Sequence, residues 1–224
     1  EETPYYNLNW WQEGVKHDFC GQICSYNCNI NKGFSFKYGK LDIVAKLPPS
    51  GYTYFPSFWL YNAEIGEQKP EIDFEIFGKA GPNNKDTYML GGPTNFMKFS
   101  FHYPNGSVGG EHTFNVELDK NFHTYSLKWT PTELIWYVDN VQYYKVTQNI
   151  PNVNMLLICG IQAGSQTPDS IAYTYIFNDK ECNKDMIIKS ISFEFSGTYF
   201  KESNPVAVVW IHISMDFKNK PAEL

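Results

Sequence analysis

No run of about 18 consecutive apolar residues occurs in this chain of 224 residues, so nothing in it reads as a helical membrane span. The 3.6-residue apolar repeat of amphipathic helices is almost absent, which argues against a helical architecture. Positive charge is scarce as well. The formal net charge is -6, so the chain has no means of neutralising a row of phosphates, and a nucleic-acid partner is excluded. A neutral polymer fits better. Paired C-x2-C spacings are missing too: Cys20, Cys24 and Cys28 cluster, Cys159 and Cys182 stand apart, and His17 is the one imidazole near the cluster. A zinc site is therefore a weak reading, and two disulfides with one leftover thiol is the pattern expected of a secreted protein. The chain opens on Glu1-Glu2-Thr3-Pro4 rather than on a charged-then-apolar leader, so the expectation is a soluble, secreted protein whose leader is absent from this sequence.

Aromatic residues are abundant, 17% of the chain with 16 Tyr, 17 Phe and 6 Trp. They favour strands and also supply flat apolar faces on which sugar rings stack. Strand signals recur at short spacing: Phe34 to Tyr38, Leu41 to Leu47, Tyr54 to Tyr61, Glu71 to Phe77, Met97 to Tyr103, Thr124 to Trp129, Leu134 to Asp139, Val141 to Val146, Met155 to Gly160 and Met186 to Phe195. Turn residues separate them, as in Pro48-Pro49-Ser50-Gly51, Pro104-Asn105-Gly106 and Asp139-Asn140. Many short strands broken by turns predict an all-β sandwich of two sheets. No repeat or linker divides the chain, so a single domain over 1–224 is expected. Within the last residues, Pro205 to Ile213 reads as one more apolar strand, followed by a polar end from Lys218.

Among these strands Glu71-Ile72-Asp73-Phe74-Glu75 is unusual. Alternate residues of a strand point to opposite faces, so its three acids project from one face while Ile72, Phe74 and Ile76 project from the other. Like charges on neighbouring positions repel, and a strand that keeps three of them is expected to use them. Retaining hydrolysis of a glycosidic bond needs one carboxylate as nucleophile and one carboxyl as acid, roughly 5 to 5.5 Å apart. Glu71 and Glu75 are the candidates, with Asp73 between them to hydrogen-bond the nucleophile and raise the proton affinity of the acid. The plain alternative is a solvated acidic face on an amphipathic strand.

Residues 71–78, Glu71-Ile72-Asp73-Phe74-Glu75-Ile76-Phe77-Gly78, resemble the catalytic strand of family 16 glycoside hydrolases, with the uninterrupted E-x-D-x-E of lichenase-type endo-β-1,3-1,4-glucanases and plant xyloglucan transferases. Phe36 to Pro48 is similar to the family's Tyr-Gly strand, and Ser57-Phe58-Trp59-Leu60 to its aromatic strand. Tyr103 to Gly106, Phe122 to Pro131 and Ile135 to Asn140 are similar to later segments. The resemblance runs in order over about 33–195, leaving 196–224 as an additional strand and tail. It implies a β-jelly roll of two curved antiparallel sheets with a concave cleft. It also implies a retaining, endo-acting enzyme on a β-glucan polysaccharide, with Glu71 as nucleophile, Asp73 as assisting acid and Glu75 as acid/base. Xyloglucan endotransglycosylation, β-1,3-glucan cleavage and glycan binding without turnover are the alternatives.

By the same resemblance Trp59 and Tyr61 line the cleft and His102 takes the place of a polar cleft residue. Gln162 stands where lichenases carry a late cleft Trp, and Asn29 and Asn31 where they carry Glu and Arg at distal subsites. Lys69 replaces their Trp two residues before the nucleophile, and Lys189 replaces the Asp that binds a structural calcium. An ammonium there is a poor neighbour for a dication, so no metal and no cofactor are expected. Trp129 and Trp136 are expected in the core, and His17, His112, His123 and His212 as hydrogen-bonded structural residues. Few residues precede the Tyr-Gly strand, so the strand around Pro205 to Ser214 is expected to cover the exposed sheet edge. The expected state is a monomer with no membrane partner.

Overall fold

The computed structural model describes residues 9–12, 15–24, 35–48, 54–62, 70–77, 94–163, 186–194 and 211–213. Period-two patterning builds it. In β4 (Gly39–Lys46) buried and half-buried residues alternate without a break, so Leu41, Ile43 and Ala45 enter the core while Asp42 and Val44 face away. β5 (Tyr54–Tyr61), β6 (Glu71–Phe77) and β7 (Phe96–Tyr103) send Phe58, Leu60, Ile72, Phe74, Met97, Phe99 and Phe101 to that same core, each at most 3% exposed.

Two antiparallel sheets result. The first has eight strands in the order β1 (Asn9–Gln12), β2 (Val15–Cys24), β12 (Met155–Ala163), β5, β6, β7, β8 (Gly106–Thr113), with β3 (Ser35–Phe36) paired to β12 outside that path. The second has six, in the order β11 (Val141–Val146), β10 (Leu134–Val138), β9 (His123–Trp129), β4, β13 (Met186–Glu194), β14 (Ile211–Ile213). The chain passes from one sheet to the other between β3 and β4, β4 and β5, β8 and β9, β11 and β12, and β12 and β13, a β-jelly-roll sandwich with no helix among the described residues. Trp129 and Trp136 of the six-stranded sheet are fully buried between the layers, as expected of large rings on sandwich strands.

The turn at Asp139-Asn140 has both residues at positive φ, 49° and 63°, the conformation that favours Asn and Asp in two-residue hairpins. Asp139 also accepts from the Thr124 amide at 2.8 Å and meets His123 Nδ1 at 2.7 Å, which gives His123 the structural role expected of it. His112 packs against Phe114 and Tyr143; the side chains of His17 and His212 lie outside the described residues.

Three strands escape a reading based on apolar alternation. β8 is Gly-Ser-Val-Gly-Gly-Glu-His-Thr, an edge strand that owes its place to pairing with β7 rather than to a buried face. β1 and β2 lie in the stretch before the Tyr-Gly strand and extend the eight-stranded sheet beyond β12. The late strand was expected in the place left by a short N-terminal region; instead β1 and β2 extend that end of the eight-stranded sheet, and Ile211–Ile213, the described part of the late strand, pairs with β13 of the six-stranded sheet. Of the five cysteines only Cys159 has a described side chain, buried at 2%; the pairing of the cysteines lies outside the described residues.

Gly39 opens β4 at φ 148°, directly after Tyr38 at 63°. A Cβ at Gly39 would lie 2.4 Å from Phe193 Cζ and 2.5 Å from the Glu194 carbonyl oxygen, so neither the dihedral nor the space admits another residue. Gly39→Ala is therefore expected to lower unfolding free energy by about 1–3 kcal/mol or more, read as a fall in thermal midpoint.

Candidate active site

Strand register assembles the site. On β6, Ile72 and Phe74 are buried in the core, which leaves Glu71, Asp73 and Glu75 on the outer face of the eight-stranded sheet. Across the ladder from them on β5 stand Tyr61, Trp59 and Ser57, and on β7 His102, Ser100 and Lys98. Facing residues of an antiparallel pair point the same way. The acid row therefore runs between an aromatic row and a polar one.

On the aromatic side the Trp59 and Tyr61 rings are 5.3 Å apart and pack with Leu156 and Ile158 of β12 in a cluster separate from the main core. Both rings are half-buried, so the outer face offers an apolar platform beside the acids, where a sugar ring can stack. On the polar side, the Ser100 hydroxyl donates to Glu75 Oε2 at 2.6 Å, and Lys98 Nζ lies 3.9 Å from the same oxygen. His102 Nε2 lies 3.5 Å from Asp73 Oδ2. From behind, the Trp136 indole donates to the backbone carbonyl of Asp73 at 3.0 Å, tying the acid strand to the opposite sheet.

The three acids have unequal surroundings. Asp73 is only 3% exposed, and burial, reinforced by Glu71 and Glu75, pushes its carboxyl well above the usual range. That shift favours the protonated carboxyl, and Asp73 makes a side-chain hydrogen bond with Glu71. Burial also raises Glu71, but the facing His102 and the Asp73 hydrogen bond oppose that rise. The sequence suggested that Asp73 would raise the proton affinity of a neighbour. In the structure the largest upward push falls on Asp73 itself, because it occupies the buried middle of the row. Its Oδ2 atom has no hydrogen-bond partner among the described residues.

The structure thus brings Glu71, Asp73, Glu75, Trp59, Tyr61 and His102 to one face. Gln162 lies on β12 opposite Phe55 and Phe19, and its side chain is outside the described residues, as are Asn29, Asn31 and Lys69. Lys189 is exposed on β13, with its ammonium 5.8 Å from the Phe122 ring. Ser100 and Lys98 went unnoticed in the sequence, although they share the parity of His102 on β7; strand pairing was needed to set them against Glu75. Among the described residues Glu71, Asp73 and His102 form a set able to hold a metal ion, with their donor atoms within 4.8 Å of one another.

A family model for glycosyl hydrolases family 16 matches residues 16–178, which include every described residue of this face. The chain belongs to glycosyl hydrolases family 16. The chain is 30% identical over 138 residues to a beta-glucanase of Paenibacillus macerans, covering 60% of this chain and 52% of that one. It is 30% identical over 141 residues to a glucan endo-1,3-beta-glucosidase of Cryptopygus antarcticus, covering 60% of this chain and 47% of that one. The chain thus spans about half the length of these relatives. In fold it is similar to the crystal structure of laminarinase from Flavobacterium sp. UMI-01, with a TM-score of 0.61 and 19% identity over 85% of this chain and 82% of that one. The family 16 sandwich accounts for the acid row's position on a strand flanked on both sides.

Asp73 gives a stability prediction with a definite sign. A carboxyl whose folded pKa is raised stabilises the protein fully below its unfolded value and loses that contribution as pH rises through the folded one. Asp73→Asn, which cannot ionise, is therefore expected to melt higher than the parent at pH 7, with the gap closing as pH falls towards the ordinary value of 3.8. Thermal unfolding of both proteins across pH 3 to 8 measures it; a gap that is independent of pH would contradict the assignment.

Proposed function

We propose that this family 16 chain is the catalytic part of a retaining, endo-acting glycoside hydrolase that cleaves a β-glucan, with mixed-linkage β-1,3-1,4-glucan as its first substrate. The observation that carries this reading is the acid row of β6, open on one face and flanked by the Trp59–Tyr61 platform on one side and by Ser100, Lys98 and His102 on the other. The name of the Paenibacillus macerans relative supports the polymer class.

In this reading Glu71 attacks the anomeric carbon and Glu75 gives its proton to the departing glycosidic oxygen; Glu75 then takes a proton from water as the glycosyl-enzyme is hydrolysed. Asp73 supplies the hydrogen bond that holds the Glu71 carboxylate in one orientation and takes no part in bond making. Ser100 has a positioning role. Because its hydroxyl occupies Glu75 Oε2, the transferable proton belongs on Oε1. The protein acts as a secreted monomer without cofactor, and disulfides among the remaining cysteines suit that setting.

Glu71→Gln and Glu75→Gln are each expected to lose about 10³-fold or more in kcat on barley glucan, read as release of reducing ends, with the thermal midpoint retained. Unimpaired turnover in either variant would refute the assignment. A parallel panel of barley glucan, laminarin, xyloglucan and galactan with sizing of the products identifies the polymer and tests endo action. Laminarin is the second candidate, favoured by the name of the Cryptopygus antarcticus relative. Ser100→Ala should lower kcat roughly ten- to a hundredfold, the worth of one hydrogen bond to a charged group, and change KM little.

A further inference from the structure

The two ends of the acid row differ in the side chain that faces them. Glu75 faces Lys98, whose Nζ lies 3.9 Å from Oε2, and the Ser100 hydroxyl occupies the same oxygen. Glu71 instead faces His102, an imidazole, the side chain that ligates metals through a ring nitrogen. His102 is 46% exposed and its Nε2 lies 3.5 Å from Asp73 Oδ2, the buried oxygen without a hydrogen-bond partner among the described residues. The donor atoms of Glu71, Asp73 and His102 fall within 4.8 Å of one another.

We propose that the Glu71 end of the row is a transition-metal site, in which one Zn²⁺ displaces to solvent the proton of the Glu71–Asp73 hydrogen bond and is held by His102 Nε2 and one carboxylate oxygen from each of Glu71 and Asp73, with water completing the shell. Zinc bonds of roughly 2.0–2.2 Å in a tetrahedral shell place two donors about 3.4 Å apart, so a rotamer adjustment of roughly an ångström or more by the half-buried Glu71 closes the set. One imidazole with two carboxylates suits zinc or copper. Calcium requires six to eight oxygens and magnesium a near-ideal octahedron of oxygens, and this corner offers neither. A dication also relieves the repulsion between neighbouring carboxylates. The Glu75 end is closed to it by Lys98.

The ion covers Glu71, so zinc and glucan exclude one another; this second part rests on the reading of Glu71 as nucleophile. Zinc titration by calorimetry at pH 7 without glucan tests the site alone. The parent should take up one Zn²⁺, with Kd raised roughly tenfold or more in both His102→Gln and Asp73→Asn, whereas Ca²⁺ produces no saturable heat. Cu²⁺ bound at the same site should show coupling to one imidazole nitrogen in its EPR spectrum, absent in His102→Gln. Thermal midpoints check that each variant is folded. Absence of 1:1 uptake, or zinc affinity unchanged in both variants, would overturn the site. If zinc binds through His102 but KM for barley glucan stays constant as zinc is raised, the mutual exclusion falls and the metal site stands.

Discussion

The molecule depends on how β6 tolerates its own charge. For an effective dielectric of 20, two carboxylates ~6 Å apart repel by about 3 kcal/mol, and the row contains two adjacent pairs. On the other face of the same strand, burial of Ile72 and Phe74 contributes about 1.5–3 kcal/mol each, and the Trp136 indole fastens the Asp73 carbonyl. These terms are of similar size, so the row is tenable only if part of its charge is removed. The upward shift of the Asp73 carboxyl works in that direction, since it favours the protonated form, which donates a hydrogen bond to Glu71 where the charged form would repel it.

That arrangement separates the two outer acids. Glu71 is backed by Asp73 and faces His102, while Glu75 is held by Ser100 and stands near Lys98. A nucleophile and an acid/base must differ in environment although both are glutamates. Here the difference comes from the next strand: β7 places an imidazole, a hydroxyl and an ammonium one per rung against the three acids. The apolar platform of Trp59, Tyr61, Leu156 and Ile158 lies on the other side, so the face has an apolar bank and a polar one.

Much of the scaffold was legible because apolar alternation reports burial on one face. The bounds of β5 follow from its run of aromatic residues and those of β6 from its alternation, and the placement of Trp129 and Trp136 follows from the size of their rings. β8 was not legible, since Gly-Ser-Val-Gly-Gly-Glu-His-Thr has no apolar face to reveal and forms because β7 offers it an edge. β1 and β2 were missed for a related reason: their aromatic, cysteine and charged residues do not alternate simply, and long-range pairing with β12 sets their position.

Local chain geometry is enough to put Glu71, Asp73 and Glu75 on one side of a strand and Ile72 and Phe74 on the other, since the two-residue period of extended backbone involves no partner. It is not enough to say which neighbours those acids meet. Lys98, Ser100 and His102 are separated from them by more than twenty positions along the chain, and a slip of one residue between β6 and β7 would turn all three towards the core. The packing of two sheets, with Phe99 and Phe101 buried on the inner side of β7, chose the register. With it came the distinction between a buried acid in the middle of the row and two half-buried ones at its ends.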